Sequence, residues 1–145
     1  MRRFLSARLR DERGTATAFI LGFAIVLLAC AGLVVDGGTA LNERMRLADN
    51  TEQAARAGAQ AIDLQYLRDS NQIRLDPVAA RNDANGYLAA IGYKNYDAEV
   101  VRGRGGQYTS VRVAAKDTVP TTMLRLIGIG SFDIDATATA EAVTQ

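Results

Sequence analysis

The stretch that decides the reading of this chain is Thr15-Ala-Thr-Ala-Phe-Ile-Leu-Gly-Phe-Ala-Ile-Val-Leu-Leu-Ala-Cys-Ala-Gly-Leu-Val-Val35, 21 residues without a charge. As a helix it would be roughly 31 Å long at about 1.5 Å per residue, close to the roughly 30 Å hydrocarbon core of a bilayer. Residues 15–35 are therefore predicted to be a transmembrane helix, bounded by Arg13-Gly14 on one side and Asp36-Gly37-Gly38 on the other.

Working outward, residues 1–14 carry Arg2, Arg3, Arg8, Arg10 and Arg13 against Asp11 and Glu12, a net +3. Residues 36–145 carry 12 basic and 14 acidic side chains, a net −2. Positive charge is retained on the cytoplasmic side of a membrane. The N-terminus is thus predicted to be cytoplasmic and the bulk of the chain extracytoplasmic, in the cell membrane as a single-pass protein. Beyond the leader there is no basic face interleaved with aromatics, so a nucleic-acid partner is not expected. The chain has no His and one Cys, Cys30. That excludes imidazole catalysis, an intrachain disulfide and a cysteine-rich metal site, so a small outer domain must be stabilised by packing or assembly.

Within the span, Ala18 and Gly22 form a small-xxx-small pair, which permits another helix, including that of a second copy, to approach closely. Gly37-Gly38 weakens the helix by about 1 kcal/mol per Gly and marks a joint. Beyond it Leu41, Met45, Ala48, Ala55, Ala59, Ile62 and Tyr66 recur at spacings of four and three, with Glu52 the only break, beside Ala54, Gly58 and Ala61. One long helix is predicted, ending near Leu67 at the Asp69-Ser70-Asn71 turn cluster. Asp76 as N-cap and Pro77 at the first helical position open a second helix. Val78, Ala80, Ala84, Tyr87, Leu88 and Ile91 fall on its buried side and Gly92 ends it.

The period then changes to two. Residues 98–102 and 108–116 read as a hairpin around Gly103-Arg104-Gly105-Gly106, with Thr109, Val111, Val113 and Ala115 on one face. Pro120 opens a short helix holding Met123, Leu124, Leu126 and Ile127, stopped at Gly128 or Gly130. A last strand puts Phe132, Ile134, Ala136, Ala138, Ala140 and Ala142 on one side, shallow enough to lie against the long helix. The predicted fold is α+β: a long N-terminal helix, first transmembrane and then amphipathic, with a small antiparallel sheet and two short helices. The expected divisions are a leader (1–14), a span (15–35), a helical stalk (36–67) and an α+β head (68–145).

Few residues offer chemistry. Asp133 and Asp135 share a strand face, but no further oxygen ligands stand at a diagnostic spacing for a cation. The Gly103–Gly106 segment reads as a turn rather than a phosphate cradle. Neither an enzyme nor a cofactor is indicated. Leu27-Leu28-Ala29-Cys30 resembles a lipobox, which would leave Cys30 acylated, and Ala29-Cys30-Ala31 a signal-peptidase site. Against both, the apolar run continues to Val35 and exceeds the 7–15 residues of a secretory h-region.

The junction Arg13-Gly14 before Thr15 resembles a type IV prepilin, in which a membrane peptidase cuts after the Gly on the cytoplasmic side. More narrowly, Glu12-Arg-Gly-Thr-Ala-Thr-Ala18, Arg46-Leu-Ala-Asp-Asn50 and Gln53-Ala-Ala-Arg-Ala-Gly-Ala59 resemble the TadE/TadG-like proteins of tight-adherence (Flp-type) pili. The C-terminal Ile129-Gly130-Ser131 and the Ala/Thr alternation after it are similar too. The resemblance implies a pilin-like fold, processing between Gly14 and Thr15 by a prepilin peptidase, membrane lipid and other pilin-like subunits as partners, and a place in the membrane or in an extracellular pilus. One position departs: typical prepilins carry a Glu at the fifth mature residue, where this chain has Phe19. A carboxylate-guided docking into a filament is therefore not available to it.

Overall fold

The structure, a computed structural model, describes residues 8–142, with side chains from Gly14 onward. The order is helix α1 (Arg8–Ala59), α2 (Leu64–Ser70), α3 (Pro77–Ile91), strand β1 (Asn95–Arg102), β2 (Tyr108–Pro120), a 3-10 turn (Leu124–Ile127) and β3 (Ser131–Glu141). The sheet order is β1-β2-β3 and the class is α+β. Two compact units are distinguished, one from the first part of α1 with Pro120–Gly130, the other from Ala40–Val119 with the segment from Ser131.

The second unit holds the core. In the part of α1 that belongs to it, from Ala40 onward, the buried positions are Leu47, Thr51, Ala54, Ala55, Gly58 and Ala59. Leu41, Met45 and Ala48, expected on the buried stripe, are exposed. The face is rotated because close approach is worth more here than side-chain bulk: a Cβ on Gly58 would stand 2.6 Å from the carbonyl oxygen of Ala80 and 3.1 Å from the Ala84 Cβ. Thr51 tolerates full burial because its hydroxyl donates to the Leu47 carbonyl at 2.6 Å. Leu41, Met45 and Ala48 instead line a shallow groove with Asp135, Ala136 and Thr137, which sets α1 beside β3.

α1 runs through Gly37-Gly38 without a break, and Thr39 donates its hydroxyl to the Val35 carbonyl at 3.0 Å. It ends at Ala59, short of the expected Leu67. Distant partners take over the backbone there: Ile62 forms an antiparallel bridge with Leu75, Asp63 donates its N–H to Arg74, and Asp76 donates its N–H to Ala61. Asp63 then restarts the helix as the N-cap of α2, accepting from the Tyr66 N–H at 3.0 Å. Asn71 closes α2 in the left-handed region, at φ 54°.

α3 begins and ends where its sequence signals stand. The Asp76 side chain accepts from the N–H groups of Val78 and Ala79, Pro77 follows, and Gly92 stops the helix at φ 103°. Ala80, Ala84 and Leu88 are buried. Val78 and Ile91 are exposed: Val78 lies in the first turn, well off the line of the three buried positions, whereas Ile91 stands on that line but is the last helical residue.

β1 and β2 pair antiparallel, Ala98 opposite Val113 and Val100 opposite Val111, and the buried face of β2 is Val111, Val113 and Ala115. Gly103–Gly106 is the hairpin turn, closed by Gly103 N–H to Gln107 and by Gly106 N–H to Gly103, with Gly106 at φ 78°. β2 extends to Pro120, so this proline ends a strand rather than opening a helix. In β3, Ile134 is buried and Phe132, Ala136, Ala138 and Ala140 are half-buried, while Asp133, Asp135, Thr137 and Thr139 are exposed. That is the predicted alternation.

Candidate functional site

Gly14 and Thr15 lie inside α1 and are exposed. A Cβ built on Gly14 meets nothing within 4 Å. Among the described residues no close contact therefore accounts for glycine at this position. From Phe19 to Val35 the large apolar side chains point outward and bury almost nothing: Phe19 is 73 % exposed and Val34 76 %. Phe19 and Phe23 stack nearly parallel, with ring centroids 6.3 Å apart. A helix this apolar and this little buried is long enough to cross a membrane. A soluble core helix would bury one side. Cys30 is exposed in mid-helix, and the helix continues through it.

At the other end of the apolar run α1 meets the Pro120–Gly130 segment. Asp36, only 5 % exposed, accepts three backbone N–H groups: Thr122 at 3.0 Å, Met123 at 2.9 Å and Leu124 at 2.7 Å. One turn earlier, Gly32 is buried, and a Cβ there would stand 3.0 Å from that of Met123. The two residues act together. Gly32 removes the bulk that would keep the loop away, and Asp36 satisfies N–H groups that the start of a 3-10 turn leaves without partners. The loop is closed at its neck by the Thr121 N–H on the Gly130 carbonyl at 3.0 Å and the Thr121 hydroxyl on Ile129 at 2.5 Å. Gly128 ends the turn at φ 91°.

Sequence reading gives Asp36 only the role of a boundary and Gly32 only that of a small residue in a span. Their partner lies almost 90 residues away, and no local pattern announces it. Gly22, the other half of the Ala18–Gly22 pair, has nothing within 4 Å of a built Cβ.

The remaining candidates resolve in the second unit. Asp133 accepts from the Thr118 hydroxyl at 3.0 Å, and it lines a polar cleft with Asp135, Asp117, Lys116 and Asn95. Lys116 puts positive charge among the carboxylates, and no group of three or more metal-ligating side chains occurs among the described residues. Asp63 pairs with Arg74, whose guanidinium lies 3.9 Å from the centre of the Tyr66 ring. The Arg74 hydrogen bond, followed by the Tyr66 N–H, holds the Asp63 carboxyl below its ordinary value.

Residues 14–61 match the family described as "Putative Flp pilus-assembly TadE/G-like". The match begins at Gly14 and covers the apolar run and the rest of α1. The resemblance drawn from residues 12–18, 46–50 and 53–59 thus stands over that stretch. No curated protein and no solved structure matches the chain.

Proposed function

We propose that this is a non-enzymatic, pilin-like subunit of a tight-adherence pilus or a related secretion assembly, held in the membrane by residues 15–35. The leader stays cytoplasmic, and residues 36–145 lie on the far side. The observation that carries this reading is the coincidence of the family match with an apolar helix whose large side chains are all exposed.

A prepilin peptidase is the proposed first partner, cutting between Gly14 and Thr15. The bond lies in a helical stretch and must unwind to enter an active site. Gly14, Thr15 and Thr17 favour this, since Gly costs about 1 kcal/mol against Ala in a helix and Thr is also a weak helix former. After cutting, Thr15 becomes the N-terminus, and the apolar helix serves both as anchor and as the surface offered to other pilin-like subunits. Phe19 supplies an aromatic side chain where a polymerising pilin would present a carboxylate. An accessory or initiating subunit held in the membrane fits that residue better than a major filament subunit.

The test is N-terminal sequencing of the protein extracted from membranes of cells with an active prepilin peptidase. Thr15 as the first residue is expected, and an intact Met1 would remove the processing step.

A further inference from the structure

The Pro120–Gly130 loop carries four apolar side chains that the chain itself leaves exposed, two of them by more than half. Met123, Ile127 and Ile129 are exposed, and Leu126 is 76 % exposed, as much as Val34 in the apolar run. A soluble loop of this length seldom displays so much apolar surface without a partner. Arg125 stands among these residues, also exposed, and makes no ion pair among the described residues.

The loop is tied to a fixed level on α1. Met123 stands against Gly32, and Asp36 holds the N–H groups of residues 122–124. With the apolar run ending at Val35, the Gly32 contact lies about 4–5 Å inside that end at about 1.5 Å per residue. The apolar side chains of the loop are thereby set at the level of Leu33, Val34 and Val35, the exposed end of the apolar run. An ionised carboxylate next to a hydrocarbon boundary would be costly if bare. The Asp36 oxygens are instead occupied by backbone donors, which lets the first charge after the run stay close to it.

We propose that the Pro120–Gly130 loop is a second membrane contact, lying in the extracytoplasmic interface of the bilayer. Leu126, Ile127 and Met123 enter the headgroup–acyl boundary and Arg125 meets lipid phosphate. The occupant is lipid because the loop surface is continuous with that of the span and carries Arg125, a cation with no ion pair among the described residues. This combination of apolar side chains and a basic group suits an anionic membrane surface. Such a contact would fix the depth and rotation of the anchor, which one featureless helix does poorly. The inference rests on the reading of residues 15–35 as a membrane span.

The experiment uses the full chain with Cys30→Ala and one cysteine introduced at Leu126, Ile25 or Ala89, each exposed. Each carries an environment-sensitive fluorophore and is reconstituted into vesicles of phosphatidylcholine with phosphatidylglycerol. Lipid-borne nitroxide at headgroup depth should quench the Leu126→Cys label by about twofold, and lipid-borne nitroxide deep in the acyl chains the mid-span Ile25→Cys label. Aqueous iodide should leave both little changed, as for a group about 5–10 Å into the interface and one in the hydrocarbon core. The Ala89→Cys label should show the reverse. If iodide reaches the Leu126→Cys label while lipid nitroxide quenches the Ile25→Cys label, the loop contact is overturned and the anchor stands. If neither quencher reaches the Leu126→Cys label, the loop faces protein and the inference is also overturned. If lipid nitroxide leaves the Ile25→Cys label untouched, the anchor itself fails, and this proposal with it.

Discussion

One carboxylate oxygen of Asp36 accepts the backbone N–H of Leu124 at 2.7 Å, across 88 residues of sequence. The same oxygen accepts Met123, and its neighbour accepts Thr122. A side chain in the middle of a long helix thus caps a turn that has no capping side chain of its own. Replacing it by Ala leaves three backbone donors to find water, and the turn loses its tether. Asp36→Ala is expected to speed tryptic cleavage after Arg125 in detergent by on the order of tenfold, since cleavage of a native loop follows its local opening. Asp36→Asn, which keeps the shape but turns an amide N–H₂ toward N–H donors, should fall between. Equal cleavage rates in all three proteins would show that the tether does not hold the loop.

Gly32 supports the same contact through space rather than charge. A side chain at Gly32 must displace Met123, whose Cβ would stand 3.0 Å from the new Cβ, whereas a side chain at Gly22 meets nothing within 4 Å. Gly32→Leu is therefore expected to raise amide hydrogen exchange at residues 122–124, and Gly22→Leu to leave it unchanged. An equal response to the two substitutions would mean that Gly32 is only one small residue among several.

What the sequence announces and what it hides divides along the range of the interaction. Asp76-Pro77 and Gly92 are local devices, and α3 starts and stops on them; the β3 alternation is equally local, and both were legible. The end of α1 was not, because bonds from Ile62, Asp63 and Ala61 to residues 74–76 decide it. Nor was the rotation of its buried face, since a periodicity of apolar residues favours Leu41 and Met45 over the smaller Ala54 and Gly58. The Asp36–Leu124 contact lies furthest from any local signal. For the candidate cut site the order is reversed: Gly14-Thr15 is visible only as sequence, and its exposed geometry adds no more than the lack of a packing reason for glycine.

Gly58 offers a case where two effects oppose each other. Gly58→Ala gains roughly 1 kcal/mol of helix propensity. Its Cβ would, however, enter contacts of 2.6 Å with the Ala80 carbonyl oxygen, 3.1 Å with Ala84 and 3.2 Å with Val111. Overpacking of this kind costs about 1–3 kcal/mol, and against backbone atoms the upper end applies. The substitution should lower the urea midpoint of the folded unit in mild detergent. Gly86→Ala in α3, with nothing within 4 Å of the new Cβ, should raise it by the equivalent of about 0.5–1 kcal/mol. Ala55→Arg, which drives a charge into a fully buried position, should be worse than Gly58→Ala.

Asp63 sets an acid limit on the same unit. Its carboxyl is held below its ordinary value of 3.8 by Arg74 and by the Tyr66 N–H. A carboxylate whose folded value is depressed stabilises the fold fully above the unfolded value, and that contribution is lost as pH falls through the folded one. The unit should thus be insensitive to this group near neutrality and lose stability below about pH 4. Asp63→Asn should weaken the protein at pH 7 and flatten the acid limb of its melting temperature. An acid limb of unchanged slope in the variant would assign the loss to other carboxylates.

Gly14→Ala separates recognition by a peptidase from folding. Among the described residues no atom stands within 4 Å of the added methyl group, and Gly to Ala in a helix is favourable by about 1 kcal/mol. The variant should therefore insert and fold as the parent does, with the same melting curve in detergent. In cells with an active prepilin peptidase it should nevertheless keep residues 1–14, seen by intact mass as a species heavier than the processed parent by the mass of the leader. If the variant is processed at the same bond and to the same extent, glycine is not what the peptidase reads. If neither protein is processed, the proposed cut between Gly14 and Thr15 fails and residues 1–14 stay attached to the apolar helix.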